Sequence, residues 1–572
     1  MQFKKIIFSL TLSVCLLLSG CNSTSHVDDI NAEFEKFTLN LFCQEVSNNT
    51  LNLHYSLKHP SDYGIETIPI TFGSFEINES AILTSIENCE AVLKTFPRDE
   101  LSKENQITHN VLSSYLKLSK EGISYSIYEE PLSPVTGIHA QLPILLAEYN
   151  FFSEEDVKIY LQLLSTLPDY FSSLISFEQK KAASGLFMAD STLDKVLEQC
   201  NVFISLDEEN YLLSTFEERL DTVRNLSEKR RADYITQNKF ALENFVLPAY
   251  QNLITSLSDL KGTGKNDRGL CYYPNGKDYY SYLIKLESGT SRSTEEVISL
   301  IQNQMTSDIM DLQELILKYP TITEQTANTI PNSPTEILNG LKTNISHAFP
   351  TPPKVSVETK YVPAALEPYL SPAFYLIPTI DDTSQNTIYI NNSHCLDTLH
   401  LFTTLAHEGY PGHLYQTTYY ASQNPNPLRN MLSFKGYIEG WATYAEMCSY
   451  YLSPLEKPVA TLLQKNNSFI LGMYAMADIG IHYGGWDFNR TIDFFRNYGI
   501  ENETVVKEIY ELIIGDPANY LAYYVGYVEI LEIKKEMIEK EGDSFSQKKF
   551  HKSLLDVGPA PFEIVNKLLN GT

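Results

Sequence analysis

From about Val27 to Pro248 the chain repeats one pattern: apolar residues return every third or fourth position between polar ones, the period of a helix with one buried face. FSEEDVKIYLQLLSTLPDYFSSLISF, beginning at Phe152, is representative. Ser153 is placed to cap, and Glu154, Glu155 and Asp156 put negative charge in the first turn, where the helix dipole favours it. A chain patterned this way buries its apolar faces by packing helix on helix. With 572 residues, 43% of them hydrophobic, it has enough apolar surface for a large globular body.

No repeat period and no long low-complexity linker divides the chain. Its softest boundary is KGTGKNDRGLCYYPNGKD, Lys261 to Asp278, where Gly, Asn and Asp interrupt the helical period. STEEVISLIQNQMTSDIMDLQELILKY then returns to helix, with Ser293 as its cap. Beyond it the period shortens: KVSVETKYV, AFYLIPT and NTIYINN are rich in Val, Ile, Tyr and Thr and separated by turn residues, which predicts a small sheet. The expected architecture is mainly α, a large helical body around a cleft with a small β-sheet beside a metal-binding helix pair. It is read as one domain over residues 27–572, with a helical N-terminal part to about 265 and a catalytic part from about 280.

The N-terminus is of another kind. MQFKKIIFSLTLSVCLLLSGC carries Lys4 and Lys5, an apolar run from Ile6 to Leu18, and then Ser19-Gly20-Cys21, the layout of a secretory signal over residues 1–20. Leu18-Ser19-Gly20-Cys21 resembles the lipobox of bacterial lipoproteins, which implies that Cys21 is lipidated and, with the short tether 21–26, holds the protein at the outer face of a membrane. The formal charge of −28 repels phosphate backbones and excludes nucleic acid as a partner. Cys43, Cys89, Cys200, Cys271, Cys395 and Cys448 are scattered with no CxxC pair, so isolated buried thiols are expected.

The chemistry concentrates in AHEGYPGHLYQ, Ala406 to Gln416. In an unbroken helix His407 and His413, six apart, would point about 120° from one another and stand ~9 Å apart along the axis, too far to share an ion. Pro411 and Gly412 lie between them. Proline removes a backbone donor and clashes with the carbonyl four residues back, that of His407, while glycine allows unusual dihedrals. A loop-out there brings His413 round to the face of His407. A catalytic zinc takes three protein ligands, commonly two His and one carboxylate, so one zinc ion is the expected cofactor, with Glu408 beside it as general base. The third ligand is expected in YIEGWATYAEMCSYYL, whose only carboxylates are Glu439 and Glu446. Seven apart, they share one face but lie ~10 Å apart along it, so Glu439 is taken as the ligand and Glu446 as a group orienting a His. His400 reads as a packed helix histidine.

HEGYPGHLYQ resembles the HExxPGHxxQ signature of the bacterial domain of unknown function 885 family, which is grouped with gluzincin-like metallopeptidases, and EGWATYAE resembles that family's second signature. SPVTGIHAQLP, GLCYYPNGKDYYSYLI, NTIYINN, DIGIHYGGWDF, GDPANYLAYYVG and FHKSLLDVGPAPFEIV extend the resemblance along the mature chain. It implies His407, His413 and Glu439 as metal ligands and Glu408 as base. It also implies an oxyanion-stabilising role for His482 and for Tyr523, with Tyr524 the neighbouring possibility. The strand around Tyr389, with Asn391, is expected to bind an extended peptide backbone as an edge strand does. The chain departs from the family where Leu414 replaces a second His and where Pro517-Ala518-Asn519 replaces Pro-Gly-Gln. The expected function is a lipid-anchored extracytoplasmic zinc peptidase acting on short peptides. A non-catalytic peptide- or metal-binding lipoprotein and a cell-wall peptide amidase are the alternatives.

Overall fold

The computed structural model describes residues 26–322, 330–362, 367, 370–394 and 397–571. The expected signal peptide, Cys21, nearly all of the tether and Cys395 lie outside the described residues. The protein is mainly α-helical with a three-stranded sheet. Local signals act as the sequence suggests. Ser153 and Asp156 close a capping box at the start of the helix Glu154–Ser165, and Ser293 and Glu296 close another before Thr294–Lys318. The apolar run after Ser153 divides at Thr166, and Pro168 starts the next helix, Leu167–Ala183. No helix among the described residues is long and apolar enough to cross a membrane.

Two cores organise the helices. One lies within the N-terminal part and includes Tyr160, Phe171, Phe216 and Tyr250. The larger joins Phe34 and Val111 from early helices to Tyr280, Leu405, Trp441 and Tyr524, so segments on both sides of the 261–278 boundary share it. Cys43, Cys89, Cys200, Cys271 and Cys448 are free thiols, and burial raises the pKa of each.

All three expected strands form: β1 (Ser356–Tyr361), β2 (Ala373–Leu376) and β3 (Gln385–Ile390). Their order is β1-β3-β2, with β1 parallel and β2 antiparallel to β3. This corrects one expectation. β3, which carries Tyr389, is the central strand, its backbone groups spent on both neighbours, so it has no free edge for a peptide. The edge strand near the chemistry is β2. Asn391 N–H donates to Pro372 O, and Phe374 pairs with Tyr389, so the alternation of an antiparallel ladder turns the N–H and C=O of Ala373 and Tyr375 away from β3.

The site helices meet through glycine. The helix Lys435–Ser449, which carries Glu439, crosses Asn519–Glu541, which carries Tyr523. A Cβ on Gly526 would overlap the Gly436 carbonyl oxygen and come within 2.9 Å of Gly440 Cα, and a Cβ on Gly436 would overlap the backbone of Ser288. The two helices therefore lie backbone to backbone, which sets the distance between Glu439 and Tyr523. Gly526→Ala must force them apart, at about 1–3 kcal/mol of stability. Gly340→Ala, where nothing lies within 4 Å, is expected to be neutral or stabilising, and denaturant unfolding of the two variants makes the comparison.

Candidate metal centre

The helix Thr398–Glu408 stops at Glu408, and the next, His413–Ser422, starts at His413. Gly409 to Gly412 loop out between them. Gly412 N–H still reaches Ala406 O at 2.9 Å and Tyr415 N–H reaches Gly409 O at 3.1 Å, so the ladder resumes after the detour. Gly412 permits this through close approach, since a Cβ there would overlap the His407 carbonyl oxygen. Trp441 Nε1–H donates to Pro411 O at 2.9 Å and pins the loop to the Glu439 helix. The result is the convergence the Pro-Gly interruption predicts: the imidazole centroids of His407 and His413 are 4.9 Å apart with ring planes at 81°.

Glu439 closes on both rings. Its Oε2 lies 3.3 Å from His413 Nε2 and 3.7 Å from His407 Nε2. With metal bonds of about 2.0–2.1 Å, tetrahedral ligand atoms stand roughly 3.3–3.4 Å apart, so Glu439 Oε2 lies close to ligand spacing from each imidazole. Glu446 Oε2 lies 3.1 Å from His407 Nδ1, and its other oxygen accepts from Asn467 Nδ2 at 3.2 Å. In a metal-bound site that bond would keep the His407 proton on Nδ1 and leave Nε2, which faces Glu439, as the ligating atom. A carboxylate oxygen of Glu408 lies within 4.8 Å of a ring nitrogen of each imidazole, close enough to share the same ion, and Glu408 Oε2 accepts the Tyr375 amide at 2.8 Å. A two-nitrogen, one-carboxylate set with an oriented imidazole suits zinc.

Burial and charge act against one another at these residues. Burial alone would lower the pKa of His407, yet the carboxylates of Glu439, Glu446 and Glu408 outweigh it and raise it to about 10. Burial would raise the Glu439 carboxyl, but His413 and His407 hold it well below the usual range. Three acids around two imidazoles in a largely buried nest form a surplus of negative charge that a divalent ion would neutralise.

Tyr523 joins this cluster. Its ring stacks on His407 with centroids 6.2 Å apart, and Glu439, then burial, Glu408 and Asp516, push its hydroxyl well above the usual range, so it stays a donor at neutral pH. Tyr524 is fully buried and places its hydroxyl by Gly472 on the helix Lys457–His482, away from the cluster.

Three expectations are corrected by placement. His482 is 1% exposed; Leu270 N–H donates to its Nδ1 at 3.0 Å and its Nε2–H donates to Ile513 O at 2.9 Å. Burial lowers its pKa to about 4, so it is a neutral ring with its one proton committed, and it has none to give an oxyanion. Asn391 spends its amide on the carbonyls of Glu367 and Leu370 and its oxygen on Ser393, which makes it a loop anchor. Tyr389 stacks on Phe374 at 5.0 Å, in a small core with Ile144. Sequence reasoning missed the Tyr375 amide, a backbone group with no residue signature, and Trp441, which was legible as the one indole within EGWATYAE. Leu414 fills the main core.

Comparison places this arrangement in a family. The chain matches, over residues 78–569, the family described as bacterial protein of unknown function, DUF885, and belongs to it. No curated protein matches it. Among the solved structures similar to it are two of proteins named as putative lipoproteins. The one from Colwellia psychrerythraea has a TM-score of 0.80 at 20% identity, over 95% of this chain and 98% of that one. The other, of unknown function, from Shewanella oneidensis, has a TM-score of 0.61 at 16% identity, over 95% of this chain and 100% of that one. The fold is thus that of these two proteins.

Glu446→Gln keeps the shape and removes the charge that orients His407. Isothermal titration should show zinc affinity falling about 10–100-fold. Free zinc at a hundred times its Kd should stabilise the wild-type protein by about 2.7 kcal/mol in denaturant unfolding, and a chelator should abolish the gain.

Proposed function

We propose that the protein is a zinc-dependent metallopeptidase that cleaves short peptides outside the cell, tethered to a membrane through lipid on Cys21. The observation that carries this reading is the approach of Glu439 Oε2 to the Nε2 atoms of both His407 and His413, with Glu408 beside the same two imidazoles. Zinc held there supplies Lewis acidity, polarising a carbonyl and acidifying a water. The similarity to proteins named as lipoproteins supports the anchored location.

The residues divide the remaining work. Glu408 keeps one oxygen on the Tyr375 amide, which fixes its carboxylate, and uses the other to take a proton from the attacking water and pass it to the leaving amine. Tyr523, held protonated by the acids around it, donates to the oxyanion that develops on the carbonyl. The extended substrate backbone belongs on the β2 edge, where the outward N–H and C=O of Ala373 stand two residues from the amide that holds the base.

Glu408→Gln separates this reading from a binding role. Hydrolysis of a peptide library should fall about 10²–10⁴-fold while bound zinc stays at one per chain by elemental analysis. Turnover equal to wild type would remove Glu408 from the mechanism, and wild-type protein that binds zinc and cleaves nothing would leave a binding lipoprotein.

A further inference from the structure

Asp478 is a buried acid that the proposed reaction does not use. It is 0% exposed, on the helix Lys457–His482, and no basic side chain forms an ion pair with it among the described residues. Its Oδ1 accepts two hydrogen bonds, from the Tyr280 hydroxyl at 2.5 Å and from the Ala518 backbone N–H at 3.0 Å. Its Oδ2 meets no partner among the described residues. An acid left half satisfied in a core is costly, so what its satisfied half holds matters.

Ala518 precedes the first residue of the helix Asn519–Glu541, and it is fully buried at φ 64°, ψ 6°, the left-handed region that disfavours a residue with a Cβ. Something must hold it there, and the Asp478 bond is the one at its amide. Next to it, Lys435 Nζ donates to Asn519 Oδ1 at 2.8 Å, and three residues beyond Tyr523 the helix lies against Gly436 and Gly440. Tyr523 therefore sits on a short length of helix clamped at both ends. Segments that the proposed chemistry leaves unused meet at the first clamp: Leu270 and Tyr280 from one, Asp478 and His482 from another, Ile513 and Ala518 from the third. His482 ties the first to the third, and Tyr280 stacks on its ring at 5.3 Å.

We propose that Asp478 is the positioning residue for Tyr523: by holding Ala518 in the left-handed conformation it fixes where the helix begins and so aims the phenol at the His407–Glu439 cluster. The groups around the carboxyl are the Tyr280 hydroxyl, the Ala518 amide, Asp516 and Lys435. Burial raises its pKa to about 7, which fits a role as hydrogen-bond acceptor that needs no charge. Asparagine, which keeps Oδ1, then preserves the device, and alanine removes it.

The catalytic consequence rests on the peptidase reading; the position of Tyr523 does not, and the test reads the two separately. In protein labelled with 3-fluorotyrosine, the fluorine resonance that Tyr523→Phe deletes is that of Tyr523. Asp478→Ala should shift or broaden it, and Asp478→Asn should leave it in place. In kinetics, Asp478→Ala should lower kcat about tenfold with KM little changed, and should cost nothing further in the Tyr523→Phe background. Ala518→Gly, which adopts the left-handed conformation freely, should restore the resonance and kcat of Asp478→Ala, and it also serves if Asp478→Ala alone is too unstable to purify. A Tyr523 resonance unmoved by Asp478→Ala, an equal kcat loss with and without Tyr523, or no recovery by Ala518→Gly overturns the proposal. If wild-type protein cleaves no peptide, the resonance alone decides.

Discussion

The contact between Gly412 and the His407 carbonyl is the constraint on which the site depends. Two imidazoles six positions apart cannot face one point on a continuous helix, and the loop-out of Gly409 to Gly412 repairs that only because no Cβ stands between Gly412 and the preceding turn. The loop is then fastened from outside by Trp441, on the same helix as Glu439. One indole hydrogen bond thus couples the detour that aligns the histidines to the element that brings the carboxylate. Distortion at Pro411 would be felt at Glu439 through Trp441, two residues along the same helix.

The second requirement is that a third helix carrying Tyr523 come close enough to share the nest. Side chains of ordinary size would hold the helices at the usual 8–10 Å between axes. Gly436, Gly440 and Gly526 let backbone meet backbone instead. At the cluster so assembled, the neighbouring carboxylates outweigh burial at His407, and the two imidazoles outweigh burial at Glu439.

What was legible in the sequence was local. Ser153 and Ser293 announced helix starts because a cap needs only the next few residues, and Pro411-Gly412 announced a break for the same reason. Glu439 and Glu446 stood out because acids are costly inside an apolar stretch unless they are partnered, and both have histidine partners. What was not legible was decided at long range. Whether β3 lies at the centre or the edge depends on β1 pairing across an intervening strand, which its own residues do not encode. His482 looked available because its partners are backbone groups, one of them 212 positions away. The Tyr375 amide left no trace in residue identity at all, since any residue but proline offers the same donor.

The corrections share a direction. His482 and Asn391 were chosen as polar residues in suggestive motifs, and each proved to be consumed by backbone: His482 between Leu270 and Ile513, Asn391 under the turn that leads into β2. These bonds still bear on the site, because the segments they fix are those that present Ala518 and Tyr375. A large helical protein with a small buried cluster must hold several distant chain segments in register, and a neutral imidazole or amide that bridges two backbone strands does so without adding charge to an already acidic nest. Around this site the roles divide accordingly: Glu439, Glu446 and the two histidines converge on the cluster, and His482 and Asn391 anchor backbone nearby.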